Sequence, residues 1–135
     1  MPLMTWNDNL KVNIKQVDDQ HKKLVELLNT FQEAMVAGKG KELTKNTFSS
    51  LLLYTVYHFG TEEKLFKQYG YPDLVPHQKE HQALTKQAQD LSDRFSRGEP
   101  VLNGETMTFL KNWLNDHILG SDKRYGPFLN AKGVY

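Results

Sequence analysis

Five histidines and two carboxylates in this chain fall into spacings that suit a buried metal site: His58-x3-Glu62, His77-x3-His81 and His117-x4-Asp122, with His21 upstream. The set uses every histidine in the sequence. Residues four apart on a helix lie about 40° from one another around the axis, so both members of such a pair project from one face toward a common point. Iron bound by imidazole and carboxylate is commonly six-coordinate, and two such ions offer about twelve positions. If both carboxylates bridge the two ions and one solvent oxygen bridges them as well, about eleven positions are filled. The one left over suits a small diatomic ligand.

One spacing is awkward. Five residues on a regular helix turn through about 500°, which leaves His117 and Asp122 about 140° apart. Gly120 lies between them, so the spacing predicts a wide turn, a π-type bulge or a helix end there. Rival metal chemistries fit less well. The zinc-protease pattern H-E-x-x-H needs a glutamate directly after its first histidine, whereas Phe59 follows His58 and Gln78 follows His77. Carboxylate-rich di-iron oxidases use Glu-x-x-His at three-residue spacing, and this donor set is rich in imidazole instead.

Four helical patterns position these residues. The first runs from about Asp19 to Ala37, with His21, Leu24, Val25, Leu28, Phe31 and Met35 on one stripe, Asp18 or Asp19 as N-cap, and Gly38-Lys39-Gly40 as its stop. The second, about Lys41 to Tyr69, carries Phe48, Leu51, Leu52, Val56, His58, Phe59, Glu62, Leu65 and Phe66, and ends at Gly70-Tyr71-Pro72. Pro76 can open a third in its first turn, in which His77, His81, Leu84, Ala88, Leu91 and Phe95 form one seam. In the fourth, capped by Asn103, the inner face takes Met107, Leu110, Trp113, Leu114 and His117. Short connections predict an all-α, antiparallel up-down-up-down four-helix bundle. The expected organisation is a single domain over 1–135, with an N-terminal arm over 1–18 pinned by Trp6, the bundle over 19–122 and a tail over 123–135.

At 135 residues the chain is long enough to bury roughly two-thirds of its unfolded surface. The formal charge is +1 with lysines and acidic residues interspersed, which gives no electrostatic footprint for nucleic acid. With no cysteine, disulfides, iron–sulfur clusters and thiolate zinc sites are excluded. No apolar run approaches the roughly 20 residues of a membrane span, and the first residues lack the basic and apolar regions of an export signal. The expected location is the cytoplasm.

The pattern as a whole resembles the hemerythrin family, specifically its stand-alone bacterial members. The match covers Asp18-Asp19-Gln20-His21-Lys22, His58-Phe59-x2-Glu62-Glu63, Gly70-Tyr71-Pro72 with His77-x3-His81, and Trp113-Leu114-x2-His117-Ile118-x3-Asp122-Lys123. The resemblance implies a non-haem di-iron site that binds O2 reversibly. It implies that His77, His81 and His117 saturate one iron, that His21 and His58 hold the other, which keeps the open position, and that Glu62, Asp122 and an oxo or hydroxo group bridge the two. It further implies an apolar O2 pocket made by Leu24, Phe59, Trp113, Leu114 and Ile118.

Other residues read more plainly. Glu63 is a solvated neighbour of Glu62, because adjacent helix positions diverge by about 100°. Asp18 and Asp19 read as caps, and Tyr54, Tyr57, Tyr69 and Tyr125 as structural. The functional expectation is a monomeric O2-storing, O2-carrying or O2-delivering protein, with no catalytic residues and an oxygen-consuming enzyme as recipient. The alternatives are an oxygen or redox sensor, a di-iron enzyme acting on nitric oxide or peroxide, and an iron-handling protein. A sensor needs an output domain, for which this length leaves no room. An enzyme needs an acid or base at the open position, for which no spare histidine exists.

Overall fold

Each of the four periodic stretches is a helix. In the computed structural model, which describes residues 4–38, 40–100 and 104–135, they are α1 (Lys15–Val36), α2 (Lys41–Tyr69), α3 (Leu74–Ser96) and α4 (Gly104–His117). The chain then makes a π-helical turn, Ile118–Asp122, and runs on as α5 (Lys123–Ala131). The architecture is an antiparallel four-helix bundle in which α4, the π turn and α5 make the last rod. Among the described residues there is no strand, and no helix is long and apolar enough to cross a membrane.

α1 starts one turn before the expected Asp19. Val17 is fully buried and extends the stripe of His21, Leu24 and Leu28 backward by four residues, so burial sets the start rather than a capping side chain. Asp18 does not cap the helix. Its Oδ1 accepts the Val12 N–H at 2.8 Å and ties the arm to the helix, while Asp19 pairs with Lys15 at 2.7 Å on the surface. Along α2, Thr55 is buried and Val56 is 49 % exposed. The inner line thus runs through Leu51, Thr55, His58 and Glu62, and the expected inward position of Val56 is not observed. α2 ends where Gly70 takes φ 69°, a left-handed conformation that costs a glycine little. Pro76 sits in the first turn of α3, where its missing N–H is not needed. The expected cap Asn103 lies outside the described residues.

The arm is held by more than Trp6. Met4 exchanges two backbone hydrogen bonds with the Asn29 side chain, at 3.0 and 2.8 Å, and Lys22 lies over the Trp6 ring. The expected tail is largely helical instead. Tyr125 and Leu129 of α5 are fully buried and join Val12, Ile14, Val17, Phe66 and Tyr71 in one apolar cluster. A second, larger cluster includes Leu24, Leu28, Phe31, Phe48, Leu51, Phe59, Trp113 and Leu114. The two cores lie on either side of a polar layer.

Candidate metal centre

That polar layer contains all seven residues of the histidine–carboxylate pattern, and each is 4 % exposed or less. α1 supplies His21, α2 supplies His58 and Glu62, α3 supplies His77 and His81, and the last rod supplies His117 and Asp122. The π turn resolves the angular mismatch by widening the helix between His117 and Asp122, so both face inward.

All five Nε2 atoms point to the centre. His77 and His117 approach Asp122 Oδ1 at 3.0 and 3.1 Å, and His21 approaches Asp122 Oδ2 at 2.9 Å. His58 and His81 both lie 3.2 Å from Glu62 Oε1. Asp122 therefore offers one oxygen to each side, and Glu62 faces both sides through one. The other Glu62 oxygen accepts the buried Tyr125 hydroxyl. Two overlapping donor groups result: Glu62, His77, His81, His117 and Asp122, and His21, His58, Glu62 and Asp122, the atoms of each within 4.8 Å of one another.

The outer ring nitrogens show what the inner ones must be. Gln20 Nε2 donates to Thr61 at 3.3 Å, which turns its amide oxygen to accept from His58 Nδ1 at 2.6 Å. Glu80 accepts from His117 Nδ1 at 2.7 Å and from Ser121 of the π turn at 2.5 Å. Glu63 Oε2 lies 3.4 Å from His81 Nδ1. A ring that gives its Nδ1 proton outward presents a bare lone pair at Nε2. None of the five Nε2 atoms has a hydrogen-bond partner, nor do Glu62 Oε1 and both Asp122 oxygens. Lone pairs facing lone pairs at these distances repel unless cations stand between them, so the donor set fits two metal ions that share its carboxylates.

Electrostatics tell the same story without a metal. Burial works against the His117 imidazolium, yet Asp122 and then Glu80 outweigh it and raise its pKa to about 10. Burial and Asp122 push Glu62 up, but His58 and His81 overcome both and hold it at about 2. Protons would have to do there what cations do better.

Beside the centre lies a small cavity of ≈ 10 Å³. That is room for about one water-sized molecule. Leu24, Phe59, Trp113, Leu114 and Ile118 all line it, together with Thr55 and Leu84. His21, His58, His117 and Asp122 reach its wall, whereas His77 and His81 do not.

Several functional neighbours escape a sequence reading. Glu63 is not simply solvated, since it faces His81, and Tyr125 is not merely structural, since it binds Glu62. Gln20, Glu80 and Ser121 act across helices, so no spacing within one helix marks them. Position beside a ligand was the available signal for Gln20 and Glu63.

The family model described as "Hemerythrin HHE cation binding domain" matches residues 12–129. A bacteriohemerythrin of Methylococcus capsulatus is 36% identical over 132 residues, covering 97% of this chain and 100% of that protein. One of Stenotrophomonas maltophilia is 31% identical over 131 residues, covering 97% of this chain and 84% of that protein. The crystal structure of a wild-type hemerythrin superposes with a TM-score of 0.87 at 34% identity, covering 93% of this chain and 96% of that one. With its donors, its bundle and its relatives in agreement over nearly its whole length, the chain belongs to the hemerythrin family.

Proposed function

We propose that this protein binds O2 reversibly at a non-haem di-iron centre and stores it, carries it or delivers it to oxygen-using enzymes. His77, His81 and His117 would hold one iron and His21 and His58 the other, with Glu62 and Asp122 spanning both. When bound, the irons supply the electrons and the coordination position that O2 requires. The observation that carries this reading is the small, largely apolar cavity that both histidines of the smaller set, His21 and His58, reach, against only His117 of the larger set.

The cavity walls favour release of O2 intact over its reduction. Leu24, Phe59, Leu114 and Ile118 exclude water from the space. The two side-chain donors among its apolar walls are turned elsewhere: Trp113 Nε1–H donates to the Leu84 carbonyl at 3.2 Å, and the Thr55 hydroxyl donates to the Leu51 carbonyl at 2.7 Å. With both of these donors turned elsewhere, the apolar walls offer no proton that would favour loss of oxygen as hydrogen peroxide. In this reading the protein is no enzyme; it is a single-domain monomer of the cytoplasm that hands O2 to an oxygen-consuming enzyme.

The test is an absorption spectrum of purified, iron-assayed protein after reduction, after exposure to air and after removal of O2. Two irons per chain and a band that comes and goes with O2 are expected. Fewer irons, or a spectrum indifferent to O2, would sink the reading. Sustained turnover of nitric oxide or peroxide with an electron donor would favour an enzyme instead.

A further inference from the structure

The ring nitrogens facing away from the centre meet unequal partners. In the three-imidazole set, His117 Nδ1 is 2.7 Å from Glu80 and His81 Nδ1 is 3.4 Å from Glu63. In the two-imidazole set, His58 Nδ1 meets the neutral amide oxygen of Gln20 at 2.6 Å. His21 Nδ1 has no hydrogen-bond partner among the described residues. One set is backed by two carboxylates and the other by one uncharged group.

A carboxylate that accepts the outer N–H draws that proton toward itself and makes the inward nitrogen a stronger donor. A stronger donor gains more from a trivalent ion than from a divalent one, because the attraction scales with the charge of the ion. The unequal numbers of imidazoles act in the same direction. We propose that these outer partners make the two metal positions unequal in oxidation state. The position facing His77, His81 and His117 favours the ferric ion, and the position facing His21 and His58 favours the ferrous ion. Glu80 and Gln20 are then positioning residues that set this difference, an inference that rests on the di-iron reading above.

Gln20→Glu and Glu80→Gln provide the test, since each exchanges charge at nearly constant shape and keeps an oxygen for the imidazole N–H. Iron-loaded protein is assayed for metal and titrated with dithionite through redox mediators, and two one-electron couples are read from the spectrum. Wild type reduced by one electron should show one ferrous and one ferric site by Mössbauer spectroscopy. Gln20→Glu should lower the higher couple, and Glu80→Gln should raise the lower one. Each shift should be about tenfold in the ratio of ferric to ferrous binding, or about 59 mV. Opposite charge changes thus narrow the same gap, a pattern that loosened packing does not produce. A gap unchanged in both variants, or widened in either, overturns the proposal at two irons per chain and leaves the di-iron reading standing. If one variant does not fold, the shift of the other decides. Wild type that holds fewer than two irons fails the di-iron reading and the proposal with it.

Discussion

The two apolar cores flanking the polar layer are built on different terms. The larger one, around Leu28, Phe31, Phe48 and Trp113, layers side chains from four helices at regular spacing and keeps a cavity beside the histidines. The smaller one joins the arm at Val12 and Ile14 to helix ends and α5, and it is tight enough that a Cβ on Gly126 would come within 2.6 Å of the Val12 carbonyl oxygen. Phe66, Tyr71 and Tyr125 meet there with ring centroids 4.8 and 4.9 Å apart across Phe66. The difference shows a division of tasks. One side leaves a cavity, while the other holds Glu62 through Tyr125 in close packing.

The largest effect should come from cutting the layer that joins the cores. His117→Ala takes one donor from the layer, leaving Asp122 to His21 and His77 and Glu80 to Ser121; a buried polar group left unsatisfied costs about 1–3 kcal/mol, more where it is charged, and metal is lost with it. Thermal melting beside a metal assay checks this; unchanged melting with two metals per chain would remove His117 from the centre.

Acid should open the same layer chemically. Imidazole ligates only when neutral, so protons compete with the metal for these nitrogens as pH falls. Glu80, lowered from 4.5 to about 2 chiefly by the hydrogen bond from His117, contributes stability that is fully present above 4.5 and is lost as pH falls toward 2. Metal and helix should therefore be lost together well before the Glu80 contribution is gone, as followed by circular dichroism with a chelator present. Metal retained well below pH 4 would count against histidine ligation.

Gly126→Ala challenges the tight core alone. The added methyl meets backbone rather than a yielding side chain, and overpacking of this kind costs about 1–3 kcal/mol. The arm should detach before the bundle melts, visible as faster hydrogen exchange at the Val12 amide; wild-type protection there would mean the crossing adjusts.

Leu114→Asn challenges the roomy core, with the smallest effect on stability. A buried amide without partners costs about 1–3 kcal/mol, but the cavity can admit water to satisfy it. Iron should stay at two per chain while the oxygen-dependent spectrum decays several-fold faster. Decay no faster than wild type would show that Leu114 does not keep water out.

What could be read in the sequence follows the same division. The bundle core and the pairs His58–Glu62 and His77–His81 repeat at helical spacing, and a break between His117 and Asp122 was legible as a wide turn, a π-type bulge or a helix end, of which the folded chain has the π turn. The second core has no such period. Its members come from an extended arm, two helix ends and a helix containing Pro127, so only the folded chain brings them together. Thr55 stayed hidden because hydropathy favours Val56 beside it, and Glu80 because its partners His117 and Ser121 lie on another rod.

The π turn also sets the phase of everything after it. A helix advances about 100° per residue, so one extra residue in a turn re-aims the whole segment that follows. Asp122 faces the metal layer, Tyr125 reaches Glu62 and Gly126 meets Val12 because all three ride on that one rotation. Removing a residue at Leu119 or Gly120 would unclock the donor, its hydroxyl brace and the arm's crossing together. Within this turn chain length itself behaves as a functional group.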